Sequence, residues 1–405
     1  QNAGNPQVTV TGVHVAAGVT LTFPMNGINF SMNDDFHNEG TITSALNGAN
    51  RGSVQMTVAK YISTTASKVT LTGANGTAAA GGSGGAFIVI GDGIYNAGAV
   101  DTSGGTGDVG FNGGNAAPIQ LAAQRQTGSG PVQNTADLKA VGGAGKASGG
   151  TGNIVALIAN THGVYHKGAI DASGGGGGTG SGGPSQQILL QAQAGGKVIA
   201  SGTMTTKGGD IDEAACVATC QGGTANQAAL VSVGSDVIAS VQHVNTGGKS
   251  KGTAGGAGGP VIYVTQDGSD PFIGAQRPAG SIRQFGSIDT RGGAGATGGP
   301  ANAIILTTIT NQPVGQEIEL FGVDALDTSG GNGITGGGTG GSIILRNSAS
   351  PGNTATGSVI VQSTLTTKGG NTSTSGNGGS GGQVQLWTGN GNVTFGTATK
   401  SQTVL

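Results

Sequence analysis

The chain has 405 residues, a formal charge of -2 and 86 glycines, with aromatic residues at 3% and charged residues at 9%, a profile that excludes an ordinary globular enzyme. A hydrophobic share of 35% with so little net charge excludes a disordered chain, and 11 scattered prolines without a three-residue glycine period exclude collagen. No basic run offers a footprint for nucleic acid, and no apolar stretch is long enough for a membrane-spanning helix.

The chain opens at Gln1 without a charged n-region and apolar segment, which reads as a mature, secreted form. Residues 7 to 23 alternate apolar and polar: Val8 and Val10, Val13 and Val15, then Val19, Leu21 and Phe23. Two strands are predicted here. The whole segment 1–64 reads as an N-terminal β segment that either caps its own first coil or adds to the open edge of a neighbouring copy.

From residue 65 to 390 the sequence repeats. Segments ending in a glycine pair recur at 98–105, 168–175, 286–293 and 324–331, with degenerate copies between them. The first glycines of the pairs are Gly104, Gly142, Gly174, Gly208, Gly247, Gly292, Gly330 and Gly369. Four places before each stands an apolar column: Val100, Leu138, Ile170, Met204, Ile288, Leu326 and Leu365, with His243 as the exception. Two places before stands a mostly small column that includes Thr102, Ala172, Thr290 and Thr328. Spacing two in a strand means one face, so both columns point inward. After each glycine pair comes a Gly-rich arm, then another apolar strand such as 86–90, 187–190 or 342–345. A unit of this length cannot bury its own apolar face, so the copies must stack. An all-β fold is predicted, a parallel β-solenoid of about nine irregular coils.

The arms, for example 174–183 and 336–341, have almost no side chains to bury. Stacked in register they can adopt a polyglycine or polyproline-II-like conformation bonded through the backbone. Gly176→Val is then expected to be destabilising. The phrase Gly-Ser-Ile-Asp-Thr, a Gly-rich interval and Gly-Gly-Ser-Ile-Ile-Leu resembles the repeats of Gly-rich secreted bacterial surface β-solenoid proteins, the filamentous-haemagglutinin-like adhesins and filament proteins. The resemblance implies a role as an adhesin, a cell-surface filament or a matrix component.

Cys216 and Cys220, four apart in a polar loop, are spaced for a disulfide. Asp101, Asp171, Asp289 and Asp327 share one outward column with Lys139 among them, which reads as a charge ladder. Glu317 and Glu319 sit at the spacing of paired carboxylates, and His162 and His166 bracket a strand or turn. His243 and Asn245 replace inward residues of one coil. Gly208-Gly209-Asp210 resembles one fragment of a calcium-binding repeat. None of these makes a convincing catalytic, metal or cofactor site.

The C-terminal segment 391–405 is again strand-like, with Val393, Phe395 and Val404 at alternating places. Neither end offers a capping helix, and open strand edges invite another copy. The expectation is a secreted, non-enzymatic structural protein that polymerises head to tail through these ends. The alternatives are an adhesin that binds surface glycans or a receptor and, less favoured, a β-helical polysaccharide-degrading enzyme.

Overall fold

The computed structural model describes residues 12–126, 129–211, 216, 220–250, 253–270, 274–312, 315–322, 325–349, 357–374 and 376–396. Among the described residues there is no helix, and most strands join one system of parallel ladders. The chain visits three faces in fixed order and adds one strand to each on every pass. The first face begins with Val13–Val15 and Phe36–Asn38 and ends with Val359–Val361 and Val393–Phe395. The second runs from Thr20–Phe23 and Thr41–Ser44 to Leu365–Thr366. The third is crossed by Ile28–Ser31, Val54–Ser63, Phe87–Asn96, Ile119–Ala123, Val155–Ala159, Ile188–Ala192, Ala228–Val233, Val261–Gln266, Ile304–Thr310, Ile343–Ala349 and Val384–Thr388. Nine of those crossings fall between residues 65 and 390, and residues 12–63 add two further coils to the same ladders.

Side-chain alternation holds the register. On the second face Val100, Leu138, Ile170, Met204, His243, Ile288, Leu326 and Leu365 pair consecutively. Each is at most 1% exposed. At about 1.5–3 kcal/mol for each fully buried aliphatic side chain, such columns are the main stabilising term of the shaft. At the N-terminal end the filling is aromatic: Phe23, Phe30, Phe36, Tyr61 and Phe87 follow one another at centroid distances of 5.8 to 6.1 Å. Five of the chain's 14 aromatic residues thus form one stack through its first three coils.

Between the second and third faces the chain runs out into an arm and back. The small inward column closes each neck. Thr102, Thr206, Thr290 and Thr328 donate their hydroxyls to the carbonyls of Ala117, Asn226, Asn302 and Gly341 on the returning strand, at 2.6 to 2.8 Å. Beyond the neck the backbone does the work. Gly105 N–H bonds to Gly82 O, Gly114 to Gly105, Gly143 to Gly114, Gly150 to Gly143 and Gly175 to Gly150, all at 2.8 Å. This zigzag continues from arm to arm as far as Gly379.

Glycine is required in these arms for room, not for left-handed backbone: Gly104, Gly105, Gly174 and Gly175 are not among the positive-φ residues. A Cβ at Gly174 would lie 1.8 Å from the Gly183 carbonyl oxygen, and one at Gly175 would lie 2.0 Å from the Gly143 oxygen. Gly176 is different, because the nearest atom to its Cβ would be the Asp210 oxygen at 3.3 Å. The most sensitive glycines are therefore the pair, while at Gly176 a Cβ is tight but needs the Asp210 carbonyl to give by only a few tenths of an ångström, so the loss expected for Gly176→Val is the smaller one.

Candidate assembly surfaces

The two ends of the shaft carry the residues expected to assemble. Val13, Leu21, Ile28 and Phe30 are partly buried against the core, while Val15 is 3% and Phe23 8% exposed. These residues form the chain's own first coil, bonded to 36–38, 41–44 and 54–57. Val19 stands at a turn, 50% exposed. At the other end Val393 is 40% and Phe395 47% exposed, and Val384 and Leu386 are only partly buried. Among the described residues, the outer edges of 13–15, 20–23 and 28–31 and those of 365–366, 384–388 and 393–395 have no partner strand. Val8, Val10 and Val404 lie outside the described residues.

The outward acidic column has a local role. The carboxylates of Asp101, Asp171, Asp289 and Asp327 each accept the backbone N–H two residues on, at 2.8 to 3.0 Å, turning the chain into the arm. Asp289 and Asp327 are adjacent in the ladder, and Arg291 lies between them, 2.6 Å from Asp289 and 3.7 Å from Asp327. Glu319, two residues after Glu317, pairs with Arg283 at 2.6 Å. Asp210 bonds Lys207 and the Lys249 N–H of the next coil. Cys216 and Cys220 form a disulfide with Cα atoms 6.0 Å apart.

Polar groups also run through the interior. Ser63 donates to Asn96 Oδ1, Asn96 Nδ2 to Asn134 Oδ1, and Asn134 Nδ2 to His166 Nδ1, at 2.6 to 2.9 Å. The donor order leaves His166 Nδ1 as acceptor. Burial pushes its imidazole down to about 4, against smaller upward pulls from the Gly168 backbone and then from Asp137. His162, four residues earlier, bonds the Ser129 carbonyl.

A second chain joins His243, Tyr263 and Gln284. Gln284 Nε2 donates to the Val241 and Gly286 carbonyls, so its Oε1 accepts the Tyr263 hydroxyl proton at 2.8 Å. Tyr263 Oη must then accept from His243 Nε2 at 2.7 Å, which fixes the tautomer. His243 Nδ1 is buried with no partner, and burial drives the imidazole down to about 3. The partner of His243 is thus Tyr263, while Asn245 faces the Asn226 and Pro260 carbonyls at 3.3 and 3.4 Å.

No protein-family model, curated protein or solved structure matches the chain. Among the described residues no helix is long and apolar enough to cross a membrane, and no group of three or more His, Cys, Asp or Glu side chains is placed to hold a metal.

Proposed function

We propose that the protein is a secreted, non-enzymatic structural subunit that stacks head to tail into an extracellular filament or matrix fibre. One observation carries this reading: the apolar interior opens at the C-terminal end, where Val393 and Phe395 are 40% and 47% exposed on an edge with no partner strand among the described residues. The first coil offers Val13 and Val15 on the same face, in the inward columns that Val393 and Phe395 extend. Stacking one on the other continues the cross-section, and a head-to-tail contact repeats without closing. The repeat resemblance to surface filament proteins supports the same reading.

The test is electron microscopy of the purified chain beside a Val393→Asp/Phe395→Asp variant. Fibres from the parent, and a folded, non-polymerising variant with the parent's circular dichroism, are expected. A parent that forms no fibres, or a variant that still forms them, overturns the proposal. Removing residues 1–23 is a poorer test, because it strips most of a stacked coil.

A further inference from the structure

We propose that the outward side of the third face docks a second copy of this chain, laid against it with the two shafts antiparallel. The strands of this face are mostly apolar on both sides, the outward exceptions before the last rung being Gln120 in one column and Gln191 and Thr307 in the other. Inward lie Phe87, Ile119, Ile188, Val261 and Ile304, all fully buried. Outward, between them, Ile88, Leu189, Ile262, Ile305 and Ile344 belong to one register column, each half-buried. Beside it runs a second column with Ile90, Ile158, Val231 and Val264. The second face of the same shaft shows the opposite habit, with Thr43, Thr70, Asp101, Lys139 and Asp171 outward. A strand apolar on both sides is the pattern of a sheet covered on both sides.

Area and charge point to a second copy as the cover. Eight rungs at about 4.8 Å, two columns wide, expose a strip of roughly 500 Å² per copy, so about 1,000 Å² over a pair, the lower bound for a specific interface and the size of a weak, concentration-dependent one. The two columns carry no charge from Ile88 to Ile344 and a single cation, Arg346, at the C-terminal end, exposed and lying over the Trp387 ring at 5.2 Å. At the N-terminal end, two residues beyond Ile90, stands the carboxylate of Asp92, 3.5 Å from Arg125. Antiparallel stacking brings Arg346 of each copy towards Asp92 of the other. A two-fold axis between the rungs of Leu189 and Ala229 also sets Leu189 against Ala229 and Ile262 against Ala156. Both alanines lie flush with the surface, 2% and 6% exposed. Such an isologous contact closes on itself, so it pairs shafts and does not lengthen them.

The decisive measurement is sedimentation in the Val393→Asp/Phe395→Asp background, where end-to-end growth is blocked and only lateral pairing remains; if those changes do not block growth, a capped fraction isolated by size serves instead. A concentration-dependent dimer is expected. Adding Ile262→Lys and Ile305→Lys should weaken it at least tenfold while circular dichroism and melting stay unchanged, because both side chains point out of the shaft. Orientation is read by mixing an Ile88→Cys chain with an Ile344→Cys chain: oxidative cross-linking between the two species is expected, and cross-linking of Ile88→Cys to itself is not. A monomer at all concentrations, a dimer indifferent to the lysines, self-cross-linking at position 88, or monomers captured instead by phosphatidylcholine vesicles each overturn the proposal.

Discussion

In the shaft, coil rests on coil because side chains fill the space between them: Ile288 sits over His243 and under Leu326 in a column closed to solvent. In the arms, coil rests on coil because side chains are missing: Gly174 lies where a Cβ would strike Gly183 in the returning limb of its own arm, and Gly175 where a Cβ would strike Gly143 of the preceding arm. Each buried aliphatic residue of the shaft contributes on the order of 2 kcal/mol. An arm hydrogen bond contributes about 1 kcal/mol net and must offset the larger conformational entropy that glycine loses on ordering. The arms are thus the costlier half to order, and they become stable by sharing the register that the shaft imposes at their threonine-closed necks.

The sharpest way to break the shaft side of this contrast is Ile288→Asp, which buries a carboxylate without a partner. A loss on the order of 4 kcal/mol is expected. Thermal denaturation that matches the parent would mean that the column is not continuous. On the arm side the test is a pair. Gly174→Val, whose Cβ has no room beside Gly183, should cost about 3 kcal/mol, whereas Gly176→Val, where the Asp210 carbonyl must give only slightly, should cost about 1 kcal/mol. Equal melting temperatures for the two variants would show that the arms are loosely packed.

At neutral pH the smallest effect is that of pH, which separates the polar interior of the shaft from the arms, where there is no histidine. His166 and His243 have folded values near 4 and 3, below the ordinary 6.5. Below 6.5 the unfolded chain takes up protons that the folded chain refuses. Stability is therefore full above pH 6.5 and falls as the pH drops towards 4, by up to about 1.4 kcal/mol per pH unit for each histidine. His166→Asn, which extends the Ser63–Asn96–Asn134 ladder by another amide, should remove one histidine's share of that slope in denaturant titrations at several pH values.

Much of this architecture is legible in the sequence, and the exceptions have physical causes. The Val100 to Leu365 column could be found because a glycine pair marks the same place in each repeat. Residues 12–63 lack that mark: their first coil turns corners as short as Pro24 to Gly27, so their two coils do not align with the others. In the run from Gly174 to Gly178 no side chain distinguishes a packed glycine from a free one, and only the backbone positions separate Gly175 from Gly176. The outward apolar columns of the third face were hidden for a related reason. In Phe87-Ile-Val-Ile90 an apolar residue facing out looks the same in sequence as one facing in. Tyr263 could not be matched to His243 because a whole arm lies between them.

The zigzag of arm hydrogen bonds has a mechanical consequence. Its links alternate between the two limbs of one arm and the next arm, from Ala49 to Gly379, at 2.8 to 2.9 Å. The ladders of the three faces join the same coils in the same direction. A pull along the shaft therefore loads both systems in parallel, and for two coils to part, the strand pairings of the shaft and the backbone links of the arm must rupture together. The arms act as a fourth cable beside the three sheets, one whose strength does not depend on keeping water out of an apolar core.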